Sequence, residues 1–147
     1  MPFDSGIIDR IFYVRWTGMR APGDLESILT SIASYRKALG SPIFFLNVLT
    51  ESAELLSDDE PDAVDRFAYK IREHADHTYI VVEGSGFKTA ATRSRITSNW
   101  RRRGEQGFAS LHTSTDEALR RIATDHTMDV TALLRMAHER GLQSPAQ

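Results

Sequence analysis

Five arginines fall within twelve positions in the stretch RSRITSNWRRRG, residues 93–104. Together with Lys88 they form a basic block, Arg93, Arg95, Arg101, Arg102 and Arg103, bounded by Glu83 and Glu105 with no acid between. An acidic block stands opposite it: Glu51, Glu54, Asp58, Asp59, Glu60, Asp62 and Asp65 precede the next base, Arg66. A net charge of only −2 therefore hides two opposed patches. Such a division can steer a charged protein partner or let two copies meet in antiparallel fashion. Arg95, Arg101, Arg102 and Arg103 are the candidate partner-binding residues, and a homodimer is compatible with the pattern.

The phase of the arginines argues against nucleic acid. At about 100° per residue, Ile96 and Trp100 share a helix face with Arg93, and Arg95 and Arg102 point the other way. No single basic stripe results, no aromatic residues are interleaved for stacking, and the overall balance is acidic. Arg93 lies on the same face as Trp100. It is placed to stack on the indole, to pair with a buried acid or to meet a ligand anion.

A second candidate is EGSGFKTAATR, residues 83–93, where a strand turns into a helix. Backbone N–H groups at such a start favour anions. Gly84, Ser85, Gly86, Lys88 and Thr89, with Arg93, would line a site for an anionic or lipid-like small molecule. Thr89 stands where a dinucleotide fingerprint needs its third glycine, and the glycine spacing of a Walker loop is missing. His74 and His77, three residues apart around Asp76, lack a third ligand, so no metal site is expected. No nucleophile-elbow pattern occurs. The expectation is a protein that is not an enzyme and carries no cofactor.

The elements that must position these residues follow from periodicity. IFYVRWTG, residues 11–18, reads as a strand, with GIID before it as a short partner. DLESILTSIASYRKALG, residues 24–40, has helical spacing, with Asp24 placed to cap it and Gly40 to end it. PIFFLNVL, residues 42–49, and TYIVVE, residues 78–83, are apolar runs suited to strands buried on both faces. Between them a helix starts at Pro61 among acids. A third helix spans about residues 87–103. FASLH, residues 108–112, is a short last strand. STDEALRRIA then opens with a capping box of Ser114 and Glu117. A final amphipathic segment, residues 129–141, turns Val130, Leu133, Leu134 and Ala137 to one side. This alternation requires an α/β domain with a mostly parallel sheet of four or five strands and right-handed crossovers. The expected division is a domain over 1–125, a helical extension over 126–141 and a tail over 142–147.

Length and composition agree with that architecture. The chain has 147 residues, 41% hydrophobic and 26% charged, which suits one folded core. It has no cysteine, so disulfides and thiolate chemistry are excluded. Acids within the first ten residues argue against a signal peptide, and no apolar run reaches the length of a membrane span. A cytoplasmic protein is expected.

YVRWTGMRAPGDLESIL, residues 13–29, resembles the opening of STAS-like domains, the fold of the SpoIIAA-like anti-sigma-factor antagonists. GFASLHTSTDEALRRI, residues 107–122, resembles their ending. The resemblance covers residues 7 to 124 and is closest to the uncharacterised SpoIIAA-like members. It implies non-enzymatic, regulatory work through a protein partner, often switched by phosphorylation of a hydroxyl just after the second buried strand. Here Thr50, Ser52 and Ser57 stand among acids rather than in the family's Asp-Ser-Ser-Gly type of turn. A phosphate on Ser52 or Ser57 would meet like charge.

Overall fold

The chain opens with a hairpin. β1 (Phe3–Ile8) and β2 (Ile11–Trp16) pair antiparallel in a register running from Ile8↔Ile11 to Phe3↔Trp16. Asp9 and Arg10 form the two-residue connection, and Asp9 adopts the left-handed backbone (φ 55°) that a tight hairpin turn demands. Gly6 lies opposite Tyr13, where a Cβ would stand 2.8 Å from the phenol oxygen. Only a glycine lets the Tyr13 ring lie across β1 without displacement.

The computed structural model describes residues 2–21, 23–51, 53, 61–104 and 107–142. From β2 onward the chain alternates α1 (Asp24–Leu39), β3 (Phe44–Leu49), α2 (Pro61–Ile71), β4 (His77–Val82), α3 (Phe87–Arg103) and β5 (Ala109–His112). α4 (Thr115–His126) and α5 (Val130–Glu139) follow. The five strands lie in the order β1-β2-β3-β4-β5, and every pair from β2 to β5 is parallel. The fold is thus α/β with a five-stranded, mostly parallel sheet. No helix among the described residues is long and apolar enough to cross a membrane.

Stepwise order has a consequence for the layers. Successive right-handed crossovers in one direction place their helices on the same face. That face is lined by Phe12, Val14 and Trp16 of β2 and Phe45 of β3. They pack on Ile28, Leu29 and Ile32 of α1 and Ile71 of α2. α3 joins this layer against β4. Within it, Asn47 would be an unsatisfied polar group in β3, but the Trp16 indole donates to its side-chain oxygen at 2.9 Å.

Alternate residues of the same strands face the other way. Ile11 and Tyr13, Phe44, Leu46 and Val48, and Tyr79 and Val81 meet Ala118, Leu119 and Ile122 of α4. Leu133 and Ala137 of α5 and the following Leu142 complete this second cluster. The last helix therefore docks on its own chain, against α4 and β1. Val130 and Leu134 sit at its margin, packed on the cluster but only partly buried. The Tyr13 face of β2 lies within this core rather than at a sheet edge.

Some helix ends match expectation, and two depart from it. Gly40 ends α1 in the left-handed conformation, and Ser114 accepts from Glu117 N–H at 3.1 Å to begin α4. Asp24, however, does not cap α1. Gly23 holds the cap position with φ 88°, and Asp24 is the first helical residue, accepting instead from Ala21 N–H at 2.7 Å. The capping box is likewise half formed, because the Glu117 carboxylate turns to the Thr113 hydroxyl at 2.7 Å. Asp129 caps α5 by accepting from Ala132 N–H.

If α5 contributes to the common core, Leu133→Ala should lower stability by about 2–4 kcal/mol. Urea unfolding followed by a signal from the sheet would measure it, and an unchanged midpoint would show that the helix adds nothing.

Candidate functional site

The turn from β4 into α3 places the anion-site residues at the carboxyl end of the parallel strands. Gly84 and Gly86 have φ of 105° and 97°, which the sharp reversal requires. Ser85, Gly86 and Lys88 are exposed, and Gly86 stands at the helix cap with no side-chain bond to the first turn. Two features work against a bound anion. Glu51 lies over Gly84, where a Cβ would meet its Cγ and Oε1 at 2.6 Å, bringing a carboxylate to the place an anion would occupy. Arg93, moreover, donates to Val82 O at 2.7 Å and so fastens α3 to the end of β4. Its guanidinium therefore makes a structural bond to a backbone carbonyl. Thr89 is half-buried, its hydroxyl directed back to Ser85 O at 3.4 Å.

Phe87 also departs from the pattern of its neighbours. An apolar first residue in α3 would be expected to turn inward, yet Phe87 is 91% exposed. Met19, in the connection after β2, is 67% exposed at the same end of the sheet. The residue that precedes this turn is a buried carboxylate. Glu83 is 4% exposed, bonded to the Thr115 side chain, and its Oε1 has no hydrogen-bond partner among the described residues. Burial pushes its carboxyl above the ordinary value, while the Arg15 charge and the Thr115 bond draw it back only in part.

The basic block is partly consumed within the chain. Arg102 grips Asp65 of α2 with two bonds, at 3.1 and 2.9 Å, and Arg103 adds a third at 2.8 Å. The fork ties the end of α3 to α2 and holds the Asp65 carboxyl below its usual range, chiefly through the Arg102 bond. Arg95 and Arg101 are exposed. Of the candidate phosphorylation sites, Ser52 and Ser57 lie outside the described residues. Thr50 is buried and its hydroxyl donates to Trp16 O at 2.6 Å, so it is not available for modification.

A different set of residues converges under α4. His77 and Tyr79 of β4 and Ser110 and His112 of β5 share the face that α4 covers. Ser110 Oγ lies 3.3 Å from His77 Nε2 and 2.8 Å from His112 Nε2. His112 Nδ1 is 3.4 Å from Glu117 Oε1. Beside this row, Tyr79 donates to Asp125 Oδ2 at 3.0 Å and contacts His126 Nε2 at 2.8 Å. Arg121 bridges to Asp125 at 3.0 Å, and the His126 ring stacks on Phe44 with centroids 3.6 Å apart. Desolvation lowers the basicity of His77, His112 and His126 and raises the Tyr79 phenol. Burial alone would raise the Asp125 carboxyl, but bonds from Tyr79 and Arg121 outweigh it and leave it lowered.

None of these side chains was singled out as a site from sequence. The available signal was the Ser-x-His alternation in FASLH, which puts both residues on one strand face, with Glu117 on the helix that follows. His77 belongs to β4, not to the end of α2, so it does not pair with His74. No group of three or more metal-ligating side chains is arranged to hold an ion among the described residues.

No family model, curated protein or solved structure matches this chain. The site must speak for itself.

Two predictions follow from these charges. Asp65→Asn should cost about 1 kcal/mol at pH 7 in urea unfolding. The lowered Asp65 value means that its contribution is present above pH 3.8 and lost below, so variant and wild type should converge in acid. The three histidines titrate lower in the fold than their ordinary 6.5, so the unfolded chain binds protons first. Stability should fall as pH drops below 6.5. Glu83 acts in the opposite sense, because its raised value favours the fold below 4.5 and disfavours it as pH rises. Glu83→Gln should therefore steepen the loss as pH falls from 6.5 toward 4.5, measured by thermal melting, and an unchanged slope would contradict the assignment.

Proposed function

We propose that this chain is a regulatory, protein-interaction module of STAS-like, SpoIIAA-like type that acts by binding a protein partner at its surface. The observation that carries the reading is Phe87, a large aromatic side chain 91% exposed at the start of α3. An aromatic ring in that position gains most when a partner covers it, and such residues anchor protein interfaces. Met19 is exposed at the same end of the sheet, and Ser85, Gly86 and Lys88 are exposed around Phe87 in sequence. The contact surface is thus the carboxyl end of the parallel strands, the region where the STAS-like resemblance places its switch segment. Arg95 and Arg101 lie further along α3 and would add charge complementarity toward an acidic partner. A cytoplasmic setting fits this role.

The small-molecule reading draws less support, since Arg93 is engaged with Val82 and Glu51 covers Gly84.

A photoactivatable cross-linking residue at position 87, used in the cells that make the protein, tests the proposal. One discrete protein adduct is expected there, with none from the same residue at the exposed Lys37 of α1. Absence of an adduct at 87, or equal adducts at both positions, would refute it.

A further inference from the structure

The row under α4 holds a hydroxyl, an imidazole and a carboxylate in series, away from the interaction surface proposed above. We propose that Ser110 is an activated nucleophile that accepts acyl groups from small carboxylic esters, with His112 as its general base and Glu117 positioning His112.

The proton pattern supports one direction. A neutral imidazole carries one N–H and one bare nitrogen, and a neighbouring carboxylate selects which is which. Glu117 Oε1 lies 3.4 Å from His112 Nδ1, and its charge favours the proton on Nδ1, which leaves Nε2 bare. Ser110 then donates its hydroxyl proton to Nε2 at 2.8 Å, as a serine does before attack. His77 Nε2 donates to Ser110 Oγ at 3.3 Å and completes the chain without two donors meeting. Glu117 is itself held by the Thr113 hydroxyl, and both interactions keep its carboxyl lowered and ionised.

His112 is buried, and desolvation keeps it neutral and able to take a proton. The charges facing it are Glu117, Arg121 and Asp125 of α4. His77 of β4 approaches from the other side through Ser110. Ser110 itself is only half-buried, because β5 ends the sheet.

That edge also supplies a donor for the developing oxyanion. Thr78 N–H donates to Phe108 O, so Phe108 and its alternates Ser110 and His112 direct their backbone groups at β4. The alternation turns the N–H of Leu111, the residue after Ser110, to the open side of the strand. A backbone N–H next to a nucleophile is a fitting oxyanion donor. The His77 ring lies against the hydroxyl, with the Tyr79 ring 4.5 Å beyond it between centroids, which suits a small uncharged acyl group.

The chemistry balances with water alone. Ser110 Oγ bonds to the ester carbonyl carbon as its proton passes to His112 Nε2. Collapse of the tetrahedral adduct breaks the ester C–O bond, and Nε2 returns the proton to the departing oxygen, which leaves as an alcohol. Water attacks the acyl-serine by the same route and releases a carboxylic acid.

The test uses the full chain with a fluorophosphonate probe and with p-nitrophenyl acetate. One adduct per chain, mapped by peptide mass spectrometry to Ser110, is expected, together with a burst of p-nitrophenol. Ser110→Ala should abolish both while keeping the wild-type circular dichroism. His112→Gln should slow labelling about 100-fold. Glu117→Gln, on the exposed side and safe for folding, should slow labelling and shift the pH midpoint of the reaction. A merely structural Glu117 would leave that midpoint in place. No adduct on the wild type, equal labelling of Ser110→Ala, or Ser110 labelling that ignores both His112→Gln and Glu117→Gln would overturn the proposal.

Discussion

Burial of β2, β3 and β4 on both faces is the constraint on which everything else in this molecule depends. A parallel strand covered on two sides must be apolar at nearly every position, and Phe44 to Val48 meet that demand with a single exception, Asn47. Strand alternation then sorts the side chains into two separate clusters, one under α1 and α2 and the other under α4 and α5. Because the crossover helices must take one face, the second face would stay open without the helices that follow β5. The last two helices are therefore part of what makes the sheet stable, and Leu142 is drawn into the core just beyond them.

The two faces differ in chemistry as a result. The crossover face closes with aromatic packing, Phe12, Trp16, Phe45 and Phe67. The α4 face is apolar only as far as β3 and the inner half of β4. Toward β5 it carries His77, Tyr79, Ser110 and His112 opposite the acids and arginine of α4. Polar groups survive at such an edge because water reaches one side of it while α4 provides partners on the other. Hydrogen-bond distances link Ser110 to both His77 and His112, so ordinary residues form one continuous row there.

Charge is used in two distinct ways. Asp65 and the Arg102–Arg103 pair bring the acidic and basic blocks together inside one chain, so the opposition visible in sequence is spent partly on joining α2 to α3. At the carboxyl end of the sheet, Glu83 is buried with one oxygen unpartnered among the described residues, and Phe87 and Met19 are exposed at the same end.

The elements themselves were legible. Hydrophobic period, Pro61, Gly40 and the Ser114 cap located all five helices and the parallel strands, because those signals act over a few residues. Local rules also failed locally: Asp24 gave up the cap to Gly23, since a glycine with positive φ could turn the chain more tightly. Long-range matters were beyond reach. That Arg93 would serve Val82, that Phe87 would face outward, and that Ser110 would lie between two imidazoles all depend on which strands become neighbours. Sequence by itself determined the alternation of strands and helices, since period and capping are properties of adjacent residues. Only the tertiary structure decided which polar side chains share a surface, because hydrogen bonds are set by distance in space and not along the chain.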